Sequence, residues 1–269
     1  AMTHNADVLG WRRKFAVLGP STNTIVQPEM EAMRPRGVTN HYARIYTPNA
    51  QAISNESFMA GTLKISEGVL DAVRSALTMA PDWIVLGMSA VTFYGGAQGA
   101  ADFQARIGAA TGGVGVTTGA LASAAALRAL DARRIAFLSP YYPVANAEVR
   151  RFFTESGFTV QRDVCLQCPS WTAIAEVPAR TLVSTLKALD GDDVDALLQV
   201  GTNLCMAELA AEAEHWLGKP VVAINTATYW HALRNSGIDD PVAGFGRLLA
   251  EQHVHAAAGE PVAQGFEVA

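Results

Sequence analysis

Four short stretches carry the side chains that could hold or transform a small anion. They are Ser21 and Asn23 in "GPSTNT", Gly87, Met88 and Ser89 in "GMSAVTFYGG", Tyr141 in "SPYYPVAN", and Gly201, Thr202 and Asn203 in "VGTNL". Each follows an apolar run and is built from small hydroxyl, amide and glycine residues. Ser, Thr, Asn and Tyr donate hydrogen bonds without carrying charge, and backbone N–H groups at a turn or helix start add further donors. None of the four stretches contains Lys or Arg. That donor set suits a carboxylate better than a nucleotide phosphate chain, and no GxGxxG after a strand or GxxxxGK[ST] is present. The same residues have a purely structural use, because Ser21, Asn23 and Thr202 are good helix N-caps.

Nucleophiles and bases are scarce nearby. Cys205 stands four residues after Gly201 and is expected to open a helix, where the terminus would lower its thiol pKa. The expectation preferred over a reactive thiol is a small buried hydrophobe on the core face of that helix, a common fate of free cysteine. Cys165 and Cys168 form a CxxC without the second ligand pair or thioredoxin-like context that zinc or redox chemistry would need. His231 falls inside an expected helix among aromatic and aliphatic neighbours and reads as structural, with a general-base role as the alternative.

Strands and helices must position these turns. Apolar runs at Phe15–Leu18, Asp82–Gly87, Arg134–Leu138 and Ala196–Val200 read as buried strands. Helical periodicity is expected over 61–80, 97–109, 144–155, 172–189, 205–217 and 226–234. Strand–helix alternation implies parallel sheets covered on both faces. The pattern restarts midway: "AVLGP" mirrors "AFLSP", and "DWIVLGMS" mirrors "DALLQVGT". Two similar α/β lobes follow, 12–122 joined by 235–269, and 123–234. Ligands of parallel sheets bind beyond the carboxyl ends of strands, so all four turns would surround one interlobe cleft.

The chain has 269 residues, 50% hydrophobic and 17% charged, with a net charge of −5. No basic footprint suggests nucleic acid, no apolar run reaches the ~18 residues of a membrane span, and the first residues lack a signal-peptide core. Cytoplasmic residence and no membrane partner are therefore expected.

In order and spacing, the four stretches and "NTATYWHALR" (225–234) resemble the maleate cis-trans isomerase and arylmalonate decarboxylase branch of the aspartate/glutamate racemase superfamily. The resemblance implies two pseudo-symmetric α/β lobes, with a cofactor-free site for a small carboxylic acid between them. Homo-oligomers are common in the family. By position, Asn23 and Tyr141 resemble the carboxylate-binding amide and phenol, and Ser89 resembles part of the oxyanion site. Thr202 and Asn203 follow the family's second catalytic position, and Asn146 reads as structural. The departures concern the cysteines that the superfamily places at the tips of the two middle strands. Gly87 and Gly201 align there, and Trp171 aligns with an isomerase substrate-binding asparagine, which implies a more apolar pocket. The expected function is cofactor-independent decarboxylation or cis–trans isomerisation of a small acid through an enolate-like state. Tyr141, Ser89 or Cys205 are the candidate catalytic groups. A hydrolase or hydratase using bound water, and a non-catalytic carboxylate binder, are the alternatives.

Overall fold

In the computed structural model, residues 7–50 and 53–252 are described. The first half runs β1 (Arg13–Pro20), α1 (Val26–Ala32), β2 (Val38–Ile45), α2 (Asn55–Glu67), α3 (Val69–Leu77), β3 (Trp83–Leu86), α4 (Ala90–Phe93), α5 (Gly96–Ala110), β4 (Gly115–Thr117) and α6 (Gly119–Ala129). The second runs β5 (Arg134–Ser139), α7 (Pro143–Glu155), β6 (Thr159–Cys165), a 3₁₀ turn (Thr172–Glu176), α8 (Ala179–Leu189), β7 (Ala196–Gln199), α9 (Ala207–Leu217), β8 (Val221–Ala223), α10 (Ile224–Asn235) and α11 (Arg247–Glu251).

The strands form two parallel four-stranded sheets, ordered β2-β1-β3-β4 and β6-β5-β7-β8. The orders correspond element for element, so the repeated sequence pattern is a repeated fold. Both central pairs are buried on both faces: Phe15, Val17, Ile84, Val85, Phe137 and Leu198 have no exposed surface. Such unbroken apolar strands are what helix-covered parallel sheets require.

The register fixes which turn residues correspond. The Gly87 amide donates to Leu18 O at 2.7 Å and the Val200 amide to Leu138 O at 3.0 Å. Gly87 is therefore the counterpart of Val200, and Met88 is the counterpart of Gly201. The mirrored octets pair the same residues, so the two glycines that align with the family's cysteine positions are not counterparts of each other.

Several boundaries differ from expectation. The helix expected over 61–80 is two helices separated by Gly68, whose amide turns back to Ile65 O at 3.2 Å. The helix expected over 172–189 breaks at Pro178, which has no N–H to continue the ladder. Helix α10 lies within the interval expected for the second lobe, yet it packs on α6 and the first sheet. Tyr229 meets Phe15 edge-on at 5.8 Å. Most of α10 is buried all round, so it fills the joint between sheets rather than covering one face. Beyond α10 the chain returns to β1: Arg13 donates to Ser236 O at 2.7 Å and Arg12 pairs with Asp240 at 2.6 Å. The part of the expected 235–269 segment after residue 252 lies outside the described residues, as do His253 and His255. No helix among the described residues is long and apolar enough to cross a membrane.

Candidate active site

The carboxyl ends of β1, β3, β5 and β7 converge on a cavity of about 70 Å³ between the sheets. That is well below the ~300–1,000 Å³ of drug-sized pockets, so it suits a ligand of a few heavy atoms. Asn23, Met88, Ser89, Tyr141, Trp171, Gly201, Thr202 and Asn203 all line it.

Each strand end fixes its turn by a local device. Asn23 Oδ1 accepts from the amides of Ile25 and Val26 at 3.0 and 2.9 Å, capping the entry to α1. Its amide nitrogen donates across the cleft to Thr202 Oγ1 at 3.1 Å. The capping and cleft-lining uses of Asn23 therefore coexist. Behind this turn the exposed Arg44 guanidinium donates to Ser21 O at 2.6 Å and Asn23 O at 3.0 Å. It is the cation anchoring that strand end, outside the cavity wall.

Tyr141 follows Pro140 and precedes Pro143 at the start of α7, where proline's fixed φ suits a helix start. Its amide donates to Ser139 Oγ at 3.0 Å, and Ser139 in turn bonds Asn146 Oδ1. Asn146 donates to Asp163 at 2.7 Å, and Arg150 pairs with the same carboxylate. Asn146 is thus structural, as expected. The Tyr141 phenol bonds Ser89 Oγ in a short contact across the cleft. Both are nearly inaccessible, at 3% and 4% exposure. Burial pushes the phenol pKa up, partly opposed by the Ser89 hydrogen bond, so Tyr141 stays protonated.

The second turn is pinned from below. Gln199, fully buried, donates to Val200 O at 2.8 Å and Gly201 O at 2.7 Å. Gly201 adopts φ +102°, and a Cβ there would fall 2.3 Å from Pro140 Cδ. Asn225 donates to Thr202 O at 2.9 Å. Asn203 bridges the lobes: it accepts from Thr24 N at 2.9 Å and donates to Trp171 O at 3.1 Å.

The remaining wall is apolar, formed by Ile65, Val91, Trp171 and Ile174 with Met88. Phe58 backs it, with ring centroids 5.2 Å from Trp171 and 5.3 Å from Tyr141.

Three expected site residues do not line this cavity. Ser21 turns away and its Oγ accepts from Thr47 N at 2.8 Å. Gly87 faces the body of the first lobe, where a Cβ would meet Val26 Cγ1 at 2.7 Å. Cys205 is exposed rather than buried on a core face, and it lies before α9 rather than within its first turn. Its thiol pKa is raised, by burial and then by Glu29 and Glu208, not lowered as expected for a helix start. The amides that open α9, those of Met206 and Ala207, donate to Glu29 Oε1 at 2.9 Å each. Cys165 and Cys168 are elsewhere in the second lobe, their thiols pushed up to about 11 mainly by burial. None of the chain's three cysteines therefore lines the cavity. His231 is also outside it. Thr117 Oγ1 accepts from Trp83 Nε1 and lies 2.9 Å from His231 Nδ1, and burial lowers the imidazole pKa to about 4.

Sequence reasoning missed Glu29, whose carboxylate also accepts from Asn225 at 2.7 Å. It missed Thr62 and Ile65 as well, which enter the cavity wall from α2.

Two matched parallel α/β lobes with a small polar-and-apolar cavity between their strand ends define a two-lobed, racemase-like α/β protein. The chain belongs to the arylmalonate decarboxylase family, whose model matches residues 25–249. It is thus a member of a family of enzymes. A maleate isomerase of Nocardia farcinica is 27% identical over 247 residues, 89% of this chain and 96% of that one. The arylmalonate decarboxylase of Bordetella bronchiseptica is 30% identical over 190 residues, 70% and 79% of the two chains. Among solved structures, a cysteine-to-serine variant of the N. farcinica maleate cis-trans isomerase, with a covalently bound succinylcysteine intermediate, superposes with a TM-score of 0.78. Its identity is 27%, with 89% of this chain and 98% of that chain covered. A liganded double variant of arylmalonate decarboxylase superposes at 0.75, with 25% identity and 88% and 98% covered.

Proposed function

We propose that this chain decarboxylates a small malonate-type acid without a cofactor, using the Tyr141 phenol where relatives use a thiol. The carrying observation is the cavity lining: a buried Ser89–Tyr141 pair opposite an apolar wall, with no cysteine, carboxylate or imidazole. One substrate carboxylate would lie against Met88, Val91 and Trp171. The other would accept from Ser89, Tyr141 and the amides that open α4. When the C–C bond to the first carboxylate breaks, carbon dioxide leaves and the electron pair becomes an enediolate. Neutral donors aimed at that oxygen are worth ~2.7–4 kcal/mol each where enzymes use them. The phenol then gives its proton to the α-carbon, and solvent reprotonates it through Ser89.

Covalent addition to a cis double bond, which would yield a species such as the succinylcysteine of the N. farcinica isomerase, requires a nucleophile. The cavity offers hydroxyls only, which favours decarboxylation over isomerisation. The assay is turnover of methylmalonate in D2O, following carbon dioxide and α-deuteration by NMR, with maleate in parallel. Decarboxylation with one deuterium at the α-carbon is expected, and Tyr141→Phe should lower kcat by roughly 10²–10⁴-fold, the range for losing a general acid. Conversion of maleate to fumarate with no carbon dioxide from malonates would overturn this reading.

A further inference from the structure

Helix α9 opens without a cap of its own. Its N-cap residue is Met206, whose side chain makes no capping hydrogen bond. A Ser, Thr, Asp or Asn there would satisfy free amides of the first turn locally. The opening amides are satisfied instead from the other lobe. Glu29, on α1, accepts from Met206 N and Ala207 N with Oε1, each at 2.9 Å. Its second oxygen, Oε2, accepts from Asn225 Nδ2 at 2.7 Å. All three donors are neutral, so this is a carboxylate seated on a helix N-terminus, where negative charge is favoured.

Asn225 carries the connection to the cavity. It is 1% exposed, and the same nitrogen donates to Thr202 O at 2.9 Å. Its Oδ1 is buried without a partner, so the orientation of the amide rests on the two donations. Thr202 is therefore tied to α1 twice. Its Oγ1 accepts from Asn23, just before α1, at 3.1 Å. Its carbonyl is tied through Asn225 to Glu29, within α1. Asn203 adds a third link by accepting from Thr24 N at 2.9 Å. These links make α1 a brace that stands on the second lobe. A local cap at position 206 would serve α9 equally well and leave the lobes free to shift. A cap drawn from α1 also fixes how far Thr202 stands from Asn23, and both line the cavity.

We infer that Glu29 is a positioning residue: by capping α9 across the lobe junction and holding Asn225, it sets the Thr202–Asn203 turn at the spacing from Asn23 that the ligand requires. The inference rests on the reading that this cavity binds a small acid. Glu29 does not touch that acid; it acts through Asn225 and the turn.

The test centres on Glu29→Gln. The isosteric side chain keeps one oxygen for the α9 amides but turns an NH2 group toward Asn225. Asn225 must then oppose that donor, or flip and set its own oxygen against Thr202 O. Methylmalonate is titrated calorimetrically into the wild type, Glu29→Gln, Asn225→Ala and the double variant. Each single change should weaken binding roughly tenfold, the scale of one hydrogen bond. The double variant should weaken it no further, because both changes cut the same link. Amide hydrogen exchange should quicken at Thr24 in Glu29→Gln while β1 keeps its protection. Wild-type affinity in Glu29→Gln overturns the inference even if the variant melts at a lower temperature, since Glu29 would then support only the fold. Unchanged exchange at Thr24 overturns it too, as does a double-variant loss equal to the product of the single ones. In those cases the wild type still binds and the acid-binding reading stands. If methylmalonate does not bind the wild type, that reading fails and this inference falls with it.

Discussion

The turn after β3 and the turn after β7 occupy equivalent places in two equivalent sheets, yet they are built differently. In the first, Met88 fills the cavity wall and is buried to 4% exposure. In the second, its counterpart Gly201 is bare, held at φ +102° by Gln199 below and Pro140 beside it. The next residue is a hydroxyl in both, and each reaches the opposite lobe: Ser89 to Tyr141, and Thr202 to Asn23. The cross-cleft hydroxyl is thus repeated, while the position before it is not. Neither Met88 nor Gly201 can exchange a proton. In the proposed mechanism the proton comes from Tyr141, and only the first turn touches that phenol, across the cleft.

This difference has consequences that can be measured. Gly201→Ala should be the most damaging change. A non-glycine residue in this backbone region is strained by about 1–3 kcal/mol, and the clash with Pro140 adds to it. Urea unfolding should show the loss. Substitution at Met88, where the backbone is unstrained, should lower stability only through lost packing. A variant Gly201→Ala as stable as the parent would show that the two turns are not distinguished by strain.

The outer strands sharpen the same comparison. His231 of α10 meets the end of β4, and its folded pKa of about 4 lies below the ordinary 6.5. The unfolded chain therefore binds more protons between those values. The stability contributed by the neutral imidazole is full above about pH 6.5 and declines as pH falls toward 4, by on the order of 1–3 kcal/mol. Denaturation at pH 7 and pH 4.5 should show the decline in the wild type and a smaller one in His231→Gln. An equal decline in both would remove His231 from the account.

The smallest effect separates the two hydroxyls. Ser89→Ala should reduce kcat about ten- to a hundredfold, as expected for a hydrogen bond to developing charge. Thr202→Val, which loosens only the bond to Asn23, should reduce it by less than roughly tenfold. Equal losses would mean that the two halves share the chemistry.

Much of the fold was legible because parallel strands buried on both faces are plain apolar runs, and the duplicated motifs gave the number of lobes. Gly68 was not legible as a break, since a lone glycine inside a helical pattern is often tolerated. The polar turns were legible as a cleft lining because four similar ones end equivalent strands. Glu29 was not, because its partners at Met206 and Ala207 are distant in sequence and belong to the other lobe. Thr62 was hidden for a different reason: a threonine in an amphipathic helix reads as filler until that helix is seen to wall the cavity. The helix start expected at Cys205 was misplaced by two residues. The helix begins at Ala207, with the preceding amide already taken by Glu29.

The central claim is that no thiol takes part in turnover. It is tested most directly by kcat of the triple variant Cys165→Ala, Cys168→Ala, Cys205→Ala on methylmalonate, with circular dichroism to check the fold. The cavity lining predicts a kcat within about threefold of the parent, since none of the three cysteines lines the cavity. A loss of about a hundredfold or more in a folded triple variant, recovered when Cys205 alone is restored, would contradict it.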